Sequence, residues 1–380
     1  MTAQIQDSLP LGVLGEDSEY LKEQLITYIG NKRSLLDPIE RAIQQVCLRT
    51  GKPKLRMLDG FSGSGVVARL MKRYASELVV NDLENYSRIV NECYLANHSE
   101  IDLIELKHLV DELNSNVDTV DLPPGFIQRM YAPTDSDSIQ PGERAFYTTQ
   151  NARRLDNYRR LIAEAPNEFS TYLLGPLLAE ASVHTNTAGV FKGFYKDAAT
   201  GIGKFGGTAG NALERIMSPI TMRPPVLSNY ETNSEVLQLD CNDLVRNVFD
   251  FDLAYFDPPY NQHPYGSNYF MLNLVASYEE PTETSRVSGI PTDWRRSAFN
   301  ARGRAAASLE DVLRTVDARF ILLSYNSEGF VPPETLRGIL ADIGTVEEVE
   351  LQYNTYRGSR NLGNRDMYVT EHLFLVERTH

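Results

Sequence analysis

The stretch Leu55-Arg-Met-Leu-Asp-Gly-Phe-Ser-Gly-Ser-Gly65 decides the fold. It reads as an apolar strand that ends on an acid and runs into a glycine-rich turn. A helix follows, with Val66, Val67 and Leu70 at helical spacing, then a second strand, Leu78-Val-Val80, ending at Asn81-Asp82. Strand, glycine turn, helix and strand open a parallel α/β sheet. Upstream, Leu35, Leu36, Ile39, Ile43 and Val46 share one face of a helix expected after Asn31. Residues 1–24 carry no clear pattern and are expected to form an arm.

From about Tyr86 to Asn229 the alternation lapses. Helical stretches, a proline-rich segment (Leu122-Pro-Pro-Gly125) and a glycine-rich one (Gly201 to Gly207) fill this part, which reads as an insertion. Strands resume at Val236–Leu239, Leu253–Phe256, Phe320–Ser324, Val346–Leu351 and His372–Val376. A length of 380 residues suits one core domain with one large inserted domain.

The formal charge is −14, from 51 acidic and 37 basic residues, which weighs against nucleic-acid binding unless the bases are concentrated locally. Three windows are basic: Lys192 to Lys204, Arg286 to Arg304, and the run holding Arg357, Arg360 and Arg365. Any one of them is equally readable as a solvated loop. Cys47, Cys93 and Cys241 form neither a disulfide framework nor a zinc cluster, the six histidines lack ligand spacing, and no metal is expected. No signal peptide or membrane-spanning run is recognisable, so a cytoplasmic location is expected.

Three motifs carry chemistry. In Asp59 to Gly65, glycines at a strand-to-helix turn let a ligand approach the backbone. On its own, such a turn is equally a tight structural device. The spacing differs from the dinucleotide G-x-G-x-x-G, and no phosphate-gripping lysine follows. Asp59 suits a cation, such as the ammonium of methionine. Asp82, ending the next strand, can accept both hydroxyls of a ribose, although a helix cap is an equal reading. The two motifs together point to an adenosine ligand.

The third motif is Asp257-Pro-Pro-Tyr260, at the carboxyl end of an apolar strand, where open α/β sheets bind ligands. Pro258 and Pro259 fix an extended backbone and remove two N–H donors. Asp257 and the Pro258 carbonyl are acceptors, and Tyr260 offers a flat face. An aromatic amine is a poor nucleophile because its lone pair is delocalised. Hydrogen bonds from both its hydrogens to two acceptors localise that pair, and the matching electrophile is a sulfonium methyl.

The sequence resembles the Dam-like, D12-class adenine-specific DNA methyltransferases. Their order of motifs is a Y-x-G-x-K segment (here Tyr28-Ile-Gly-Asn-Lys32), a D-x-F-x-G-x-G loop (Asp59 to Gly65), a ribose-binding acid, a recognition insertion, then D-P-P-Y (Asp257 to Tyr260). The resemblance runs over about residues 25–270. It implies a Rossmann-like S-adenosylmethionine-dependent methyltransferase fold with a seven-stranded, mostly parallel sheet. Residues 25–85 and 230–380 would form the catalytic domain, and 86–229 a largely helical target-recognition domain. It implies S-adenosylmethionine as cofactor, held by Tyr28, Gly30, Lys32, Asp59, Phe61, Gly63, Gly65 and Asp82, with Asp240 or Asn242 on its adenine. The implied substrate is adenine N6 in double-stranded DNA, flipped out of the helix, and the enzyme may pair with a separately acting restriction endonuclease.

The alternatives are cytosine N4 or RNA adenine as target, or a non-catalytic DNA reader on the same fold. Asp rather than Ser before Pro-Pro-Tyr favours adenine by resemblance. A cytosine C5 enzyme needs a thiolate after a proline, which none of the cysteines provides, and a dehydrogenase would need G-x-G-x-x-G. After the catalytic motif, Asn261 to Phe270 is rich in amide and aromatic groups and could close over a base or touch DNA. Thr187 to Lys196 mixes lysine with aromatics, suited to phosphate contact and to wedging beside a flipped base, or simply to packing the insertion's own core.

Overall fold

The computed structural model describes residues 15–207, 210–354 and 368–379. Strands β1 (Leu55–Asp59), β2 (Ala75–Asn81), β3 (Asn233–Leu237), β4 (Phe251–Phe256), β5 (Ala318–Asn326), β6 (Gly344–Asn354) and β7 (Tyr368–Arg378) form one sheet in the order β3-β2-β1-β4-β5-β7-β6. β7 is antiparallel to both β5 and β6, and the remaining pairs are parallel. Every strand expected from the sequence lies in this sheet. Helices α1 (Leu36–Thr50), α2 (Val66–Lys72) and α3 (Asn85–Tyr94) precede the insertion helices α4 (Leu103–Asn116), α5 (Phe126–Tyr131), α6 (Thr149–Glu164), α7 (Ser170–Val183) and α8 (Leu213–Met217). After β3 come α9 (Cys241–Leu244), α10 (Tyr265–Asn268), α11 (Phe270–Ser277), α12 (Arg302–Thr315) and α13 (Pro333–Ala341).

The period-2 alternation of the strands sorts their side chains between two layers. Leu55 and Met57 pack with Ile39, Ile43 and Val46 of α1 and with Val67 and Leu70 of α2. Leu58, Ala254 and Ile321 face the other way, onto Leu309, Val312 and Leu313 of α12 and Leu336 and Leu340 of α13. Burying each such aliphatic side chain contributes about 1.5–3 kcal/mol. Central strands covered on both faces read as the near-continuous apolar runs seen in the sequence.

The insertion shares a third core with the elements beside it. Leu106 and Val110 of α4, Leu155 of α6 and Leu173 and Leu177 of α7 cluster with Ile89 and Val90 of α3 and with Met271 and Val275 of α11. Phe191 is buried in that cluster, which settles the reading of its ring as a core residue rather than a wedge for DNA.

Residues 15–24 are packed, which corrects the expectation of an arm for this part; residues 1–14 lie outside the described residues. Tyr20 is fully buried, and its hydroxyl donates to the Tyr94 carbonyl at 2.7 Å. The cause is Arg69 of α2, a buried guanidinium that needs acceptors. It donates to the carbonyls of Tyr20, Glu23 and Gln24 at 3.0, 3.1 and 3.2 Å, and lies 3.8 Å from the Tyr94 ring centroid. No described helix is long and apolar enough to cross a membrane.

Candidate active site

Three parallel neighbours, β2, β1 and β4, deliver an acid each to the same sheet edge: Asp82, Asp59 and Asp257. They line one cleft with Tyr28, Gly30, Lys32, Phe61, Gly63, Asp240 and Pro259.

The three acids occupy different environments. Asp82 is tied into the backbone: one oxygen accepts the Gly63 N–H at 2.8 Å, the other the Glu84 N–H at 2.9 Å. It therefore fixes the glycine loop as well as facing the cleft. Beside it, Asn81 stitches three strand ends together, donating to the Gly60 and Leu239 carbonyls and accepting the Leu239 N–H at 2.9 Å. Asp59 is fully buried, and neither carboxylate oxygen has a hydrogen-bond partner among the described residues. Burial pushes its carboxyl well above the usual range; the nearby Phe61 backbone N–H, outside hydrogen-bond geometry, works against that rise, and Asp257 and Asp82 add to it. An unpartnered buried carboxylate is a strong selector for a cation, so the residues present fit a ligand that carries an ammonium.

Asp257 is ion-paired. Its Oδ1 lies 3.0 Å from Lys32 Nζ, which also contacts Glu371 on β7 at 2.8 Å. Burial raises the Asp257 carboxyl to about 7, Lys32 works against that rise, and Glu371 adds to it. Burial also opposes the charge on Lys32, but Asp257 and Glu371 together hold the ammonium well above its ordinary range.

The Tyr28 segment is clamped from above. The Tyr28 ring stacks on both Tyr265 and Tyr269, with centroids 4.9 and 4.8 Å away, the two partner rings lie 6.0 Å from each other, and the Tyr269 hydroxyl accepts the Ile29 N–H at 2.6 Å. The segment after the Asp-Pro-Pro-Tyr motif is thus a roof over the Y-x-G-x-K segment.

Four residues expected to meet ligand do not line the cleft. Gly65 starts α2 at φ +79°, and a Cβ there would stand 2.7 Å from Asn91 Oδ1, so its bareness serves helix packing. Asn242 is turned away, its amide donating to the Ser308 carbonyl and to Asp311 of α12 at 3.0 and 2.6 Å; Asp240 caps α9 and does line the cleft. Pro258 is buried. Tyr260 packs steeply inclined to Tyr325, with its carbonyl held by the Phe330 N–H. Conversely, sequence reading missed Glu84, Ser297, Phe299 and Asn300, and it had Tyr265 and Arg295 only within segments expected to close over a base or to touch DNA; all six line the cleft. Burial raises Glu84 to about 7, and Phe299 meets Phe61 edge-on at 5.0 Å. The basic window 286–304 therefore serves the cleft too: Arg295 also ties down the Leu83 carbonyl at 2.8 Å.

A sheet of this order, with β7 reversed and an acidic cleft at its carboxyl edge, defines a Rossmann-like methyltransferase. The profile of the D12 class N6 adenine-specific DNA methyltransferases matches residues 28–339, and the chain belongs to that family. It is similar to the Type II methyltransferase M.NlaIII of Neisseria lactamica, with 28% identity over 93% of this chain and 100% of that one. It is also similar to the Type II methyltransferase M.CviAII of Paramecium bursaria Chlorella virus 1, with 29% identity over 92% and 98% of the two chains. Modification methylase StsI of Streptococcus sanguinis is 26% identical over 92% of this chain, which spans 52% of that longer protein. Membership of the family implies a methyl-donor cofactor and a DNA substrate.

Gly63 tests the cleft. It adopts φ +52°, and a Cβ there would lie 2.9 Å from the Tyr28 ring, which its two stacking partners hold in place. A β-branched residue is strained at this φ by about 1–3 kcal/mol. Gly63→Val is expected to displace the loop or Tyr28 and to weaken methyl-donor binding in calorimetry by roughly tenfold or more, with the circular dichroism spectrum kept. Unchanged affinity would contradict the placement.

Proposed function

We propose that this protein transfers the methyl group of S-adenosylmethionine to N6 of an adenine flipped out of duplex DNA, as the sequence-specific modification enzyme of a restriction-modification system. The observation that carries this reading is the pairing, in one cleft, of an unpartnered buried carboxylate, Asp59, with a lysine-anchored one, Asp257. The first suits the ammonium of the methionine moiety, and the second suits an amine.

When bound, S-adenosylmethionine supplies an electrophilic methyl on a sulfonium. The protein supplies the rest. Asp82 and Asp240 face the cleft where hydroxyls and adenine need acceptors. Lys32 anchors Oδ1 of Asp257 and leaves Oδ2 for an N–H of the target amine. That hydrogen bond draws the nitrogen lone pair out of the ring; the Pro258 carbonyl, the second acceptor expected from the sequence, belongs to a residue that does not line the cleft. The bound cofactor would give up its methyl to the amine and keep the electron pair of its C–S bond, and Asp257 would hold the amine and take the N–H proton that it sheds.

DNA would lie across the basic rim. Lys192, Lys196 and Lys204 of the insertion, and Arg286, Arg295, Arg296, Arg302 and Arg304, are exposed. Among the described residues none of these eight forms an ion pair. Arg357, Arg360 and Arg365 fall outside the described residues. The insertion, the roof and the 285–291 loop meet where Lys192 Nζ lies 3.3 Å from His263 Nδ1 and the Ser288 hydroxyl donates to the Lys192 carbonyl at 2.6 Å. Residues 86–229 would read sequence, since the sheet edge is indifferent to flanking bases. A type II modification role is drawn from the relatives, which are Type II methyltransferases, and implies cytoplasmic work alongside a separate endonuclease.

Two outcomes test the reading. Asp257→Ala is expected to lose roughly 100-fold or more of single-turnover methylation while keeping S-adenosylmethionine affinity; near wild-type turnover would refute the amine site. The second concerns Asp59. Burial raises its carboxyl in the free protein, whereas a bound ammonium demands the carboxylate. Binding must therefore be linked to the ionisation of Asp59, and affinity must fall as pH drops through the range in which the free protein's Asp59 takes up a proton. Calorimetry over a pH series, in buffers of different ionisation enthalpy, should detect that linkage, and an affinity that stays constant down the whole acid range would exclude Asp59 as the ammonium's partner.

A further inference from the structure

Glu371 stands on β7, beyond the residues matched by the family profile, and no sequence motif points to it. It is nevertheless within the same cluster of charges as the catalytic motif. Its Oε1 contacts Lys32 Nζ at 2.8 Å, while Asp257 Oδ1 touches that nitrogen at 3.0 Å from the other side. The Glu371 and Lys32 side chains are almost completely buried. Ser324 Oγ on β5 donates to Oε1 of Glu371, and Asn326 Nδ2 donates to Oε2 at 3.2 Å. Register explains the arrangement, because β5 and β7 are antiparallel neighbours in which Asn326 pairs directly with Glu371.

One ammonium thus serves two carboxylates. Had Lys32 only Asp257, Oδ2 would still accept, but the undivided ammonium would make the carboxylate a weaker base. Glu371 takes a share of the ammonium and is itself saturated by Ser324 and Asn326. The negative charge left over falls on the partner with spare lone pairs, Asp257. We propose that Glu371 is a positioning residue for methyl transfer: by sharing Lys32 it keeps Asp257 a fixed, unneutralised acceptor for the target amine and for the proton that amine releases. This rests on the reading of Asp257 as the amine site. The step balances: nitrogen gains the methyl carbon, sulfur keeps the C–S electron pair, and the N–H proton passes to Asp257.

Among the described residues, the groups facing Asp257 are Lys32 before α1, Asp59 on β1, Tyr255 on β4, Tyr260 and Tyr265 on the loop and helix after it, and Glu371 on β7. Among them Glu371 is the negative charge that shares Lys32. Removing that charge leaves burial and an undivided Lys32 acting on Asp257, so the carboxyl must become more acidic. A carboxylate ionised at lower pH moves the acid limb of the rate profile down, while its weaker basicity lowers the plateau.

The test is single-turnover methylation of DNA from a methylation-free host, followed from acid to mildly alkaline pH, with S-adenosylmethionine affinity measured in parallel. For Glu371→Gln the expected result is affinity within about twofold of wild type, a plateau rate down roughly tenfold or more, and an acid limb shifted down by about one pH unit. Ser324→Ala, which removes a hydrogen bond but no charge, should leave the limb in place. Glu371→Asp should restore much of the rate. A Glu371→Gln enzyme that loses rate equally at every pH, with no limb shift, would overturn the proposal in favour of a purely structural role; an unchanged rate would overturn it outright. Should Glu371→Gln fail to fold, the Glu371→Asp profile decides: a wild-type limb with much of the rate supports the proposal, and a rate loss uniform in pH overturns it. A fully active Asp257→Ala enzyme would instead remove the amine site on which all this rests.

Discussion

Buried negative charge at one sheet edge is the constraint on which the rest of the structure depends. Asp59, Asp82 and Asp257 end adjacent parallel strands, and Lys32 is the cation that answers them from within the cleft. A carboxylate removed from water costs several kcal/mol unless it is paired and hydrogen-bonded. Asp82 meets that cost with two backbone N–H groups, Asp257 with Lys32, and Asp59 with neither. The two-sided apolar packing of β1 and β4 holds the unmatched charge in place. The site is therefore unbalanced by construction, and a cationic ligand restores the balance.

Much of this was legible in the sequence. The central strands announced themselves as apolar runs, because strands covered on both faces must be apolar along their length, while the edge strands β3 and β6 mix apolar with polar residues. Asp59, Asp82 and Asp257 were legible because each follows such a run directly, and chain order alone puts it at the carboxyl edge. What stayed hidden depends on contacts between distant segments. Glu371 lies inside an apolar strand, and only the register of β7 against β5 carries it to Lys32. Residues 295–300 fold back onto the cleft from a loop without periodicity. Asn242 sits next to a true lining residue, but one helical step turns its amide to Asp311. Phe191 shows the limit of composition: aromatics beside lysines fit a DNA wedge or a core equally, and burial chooses the core. The expected arm failed at residues 15–24 for a similar reason, since nothing local shows that Arg69 awaits their carbonyls.

The acidic balance of −14 and a DNA substrate are compatible because the charges are segregated. Many arginines elsewhere are spent on carboxylates, as Arg337 is on Glu348 and Arg246 on Asp311. The bases near the cleft mouth keep their charge for phosphate. The shared core of the insertion, α3 and α11 also ties the insertion to the roof that packs on Tyr28, in the segment that carries Lys32.

The most direct measurement is base-resolution mapping, with nucleoside mass spectrometry, of DNA from a methylation-free host expressing this protein. The account predicts N6-methyladenine at one short recurring sequence and no methylated cytosine. N4-methylcytosine, or DNA left unmodified by a folded protein that binds S-adenosylmethionine, would contradict it.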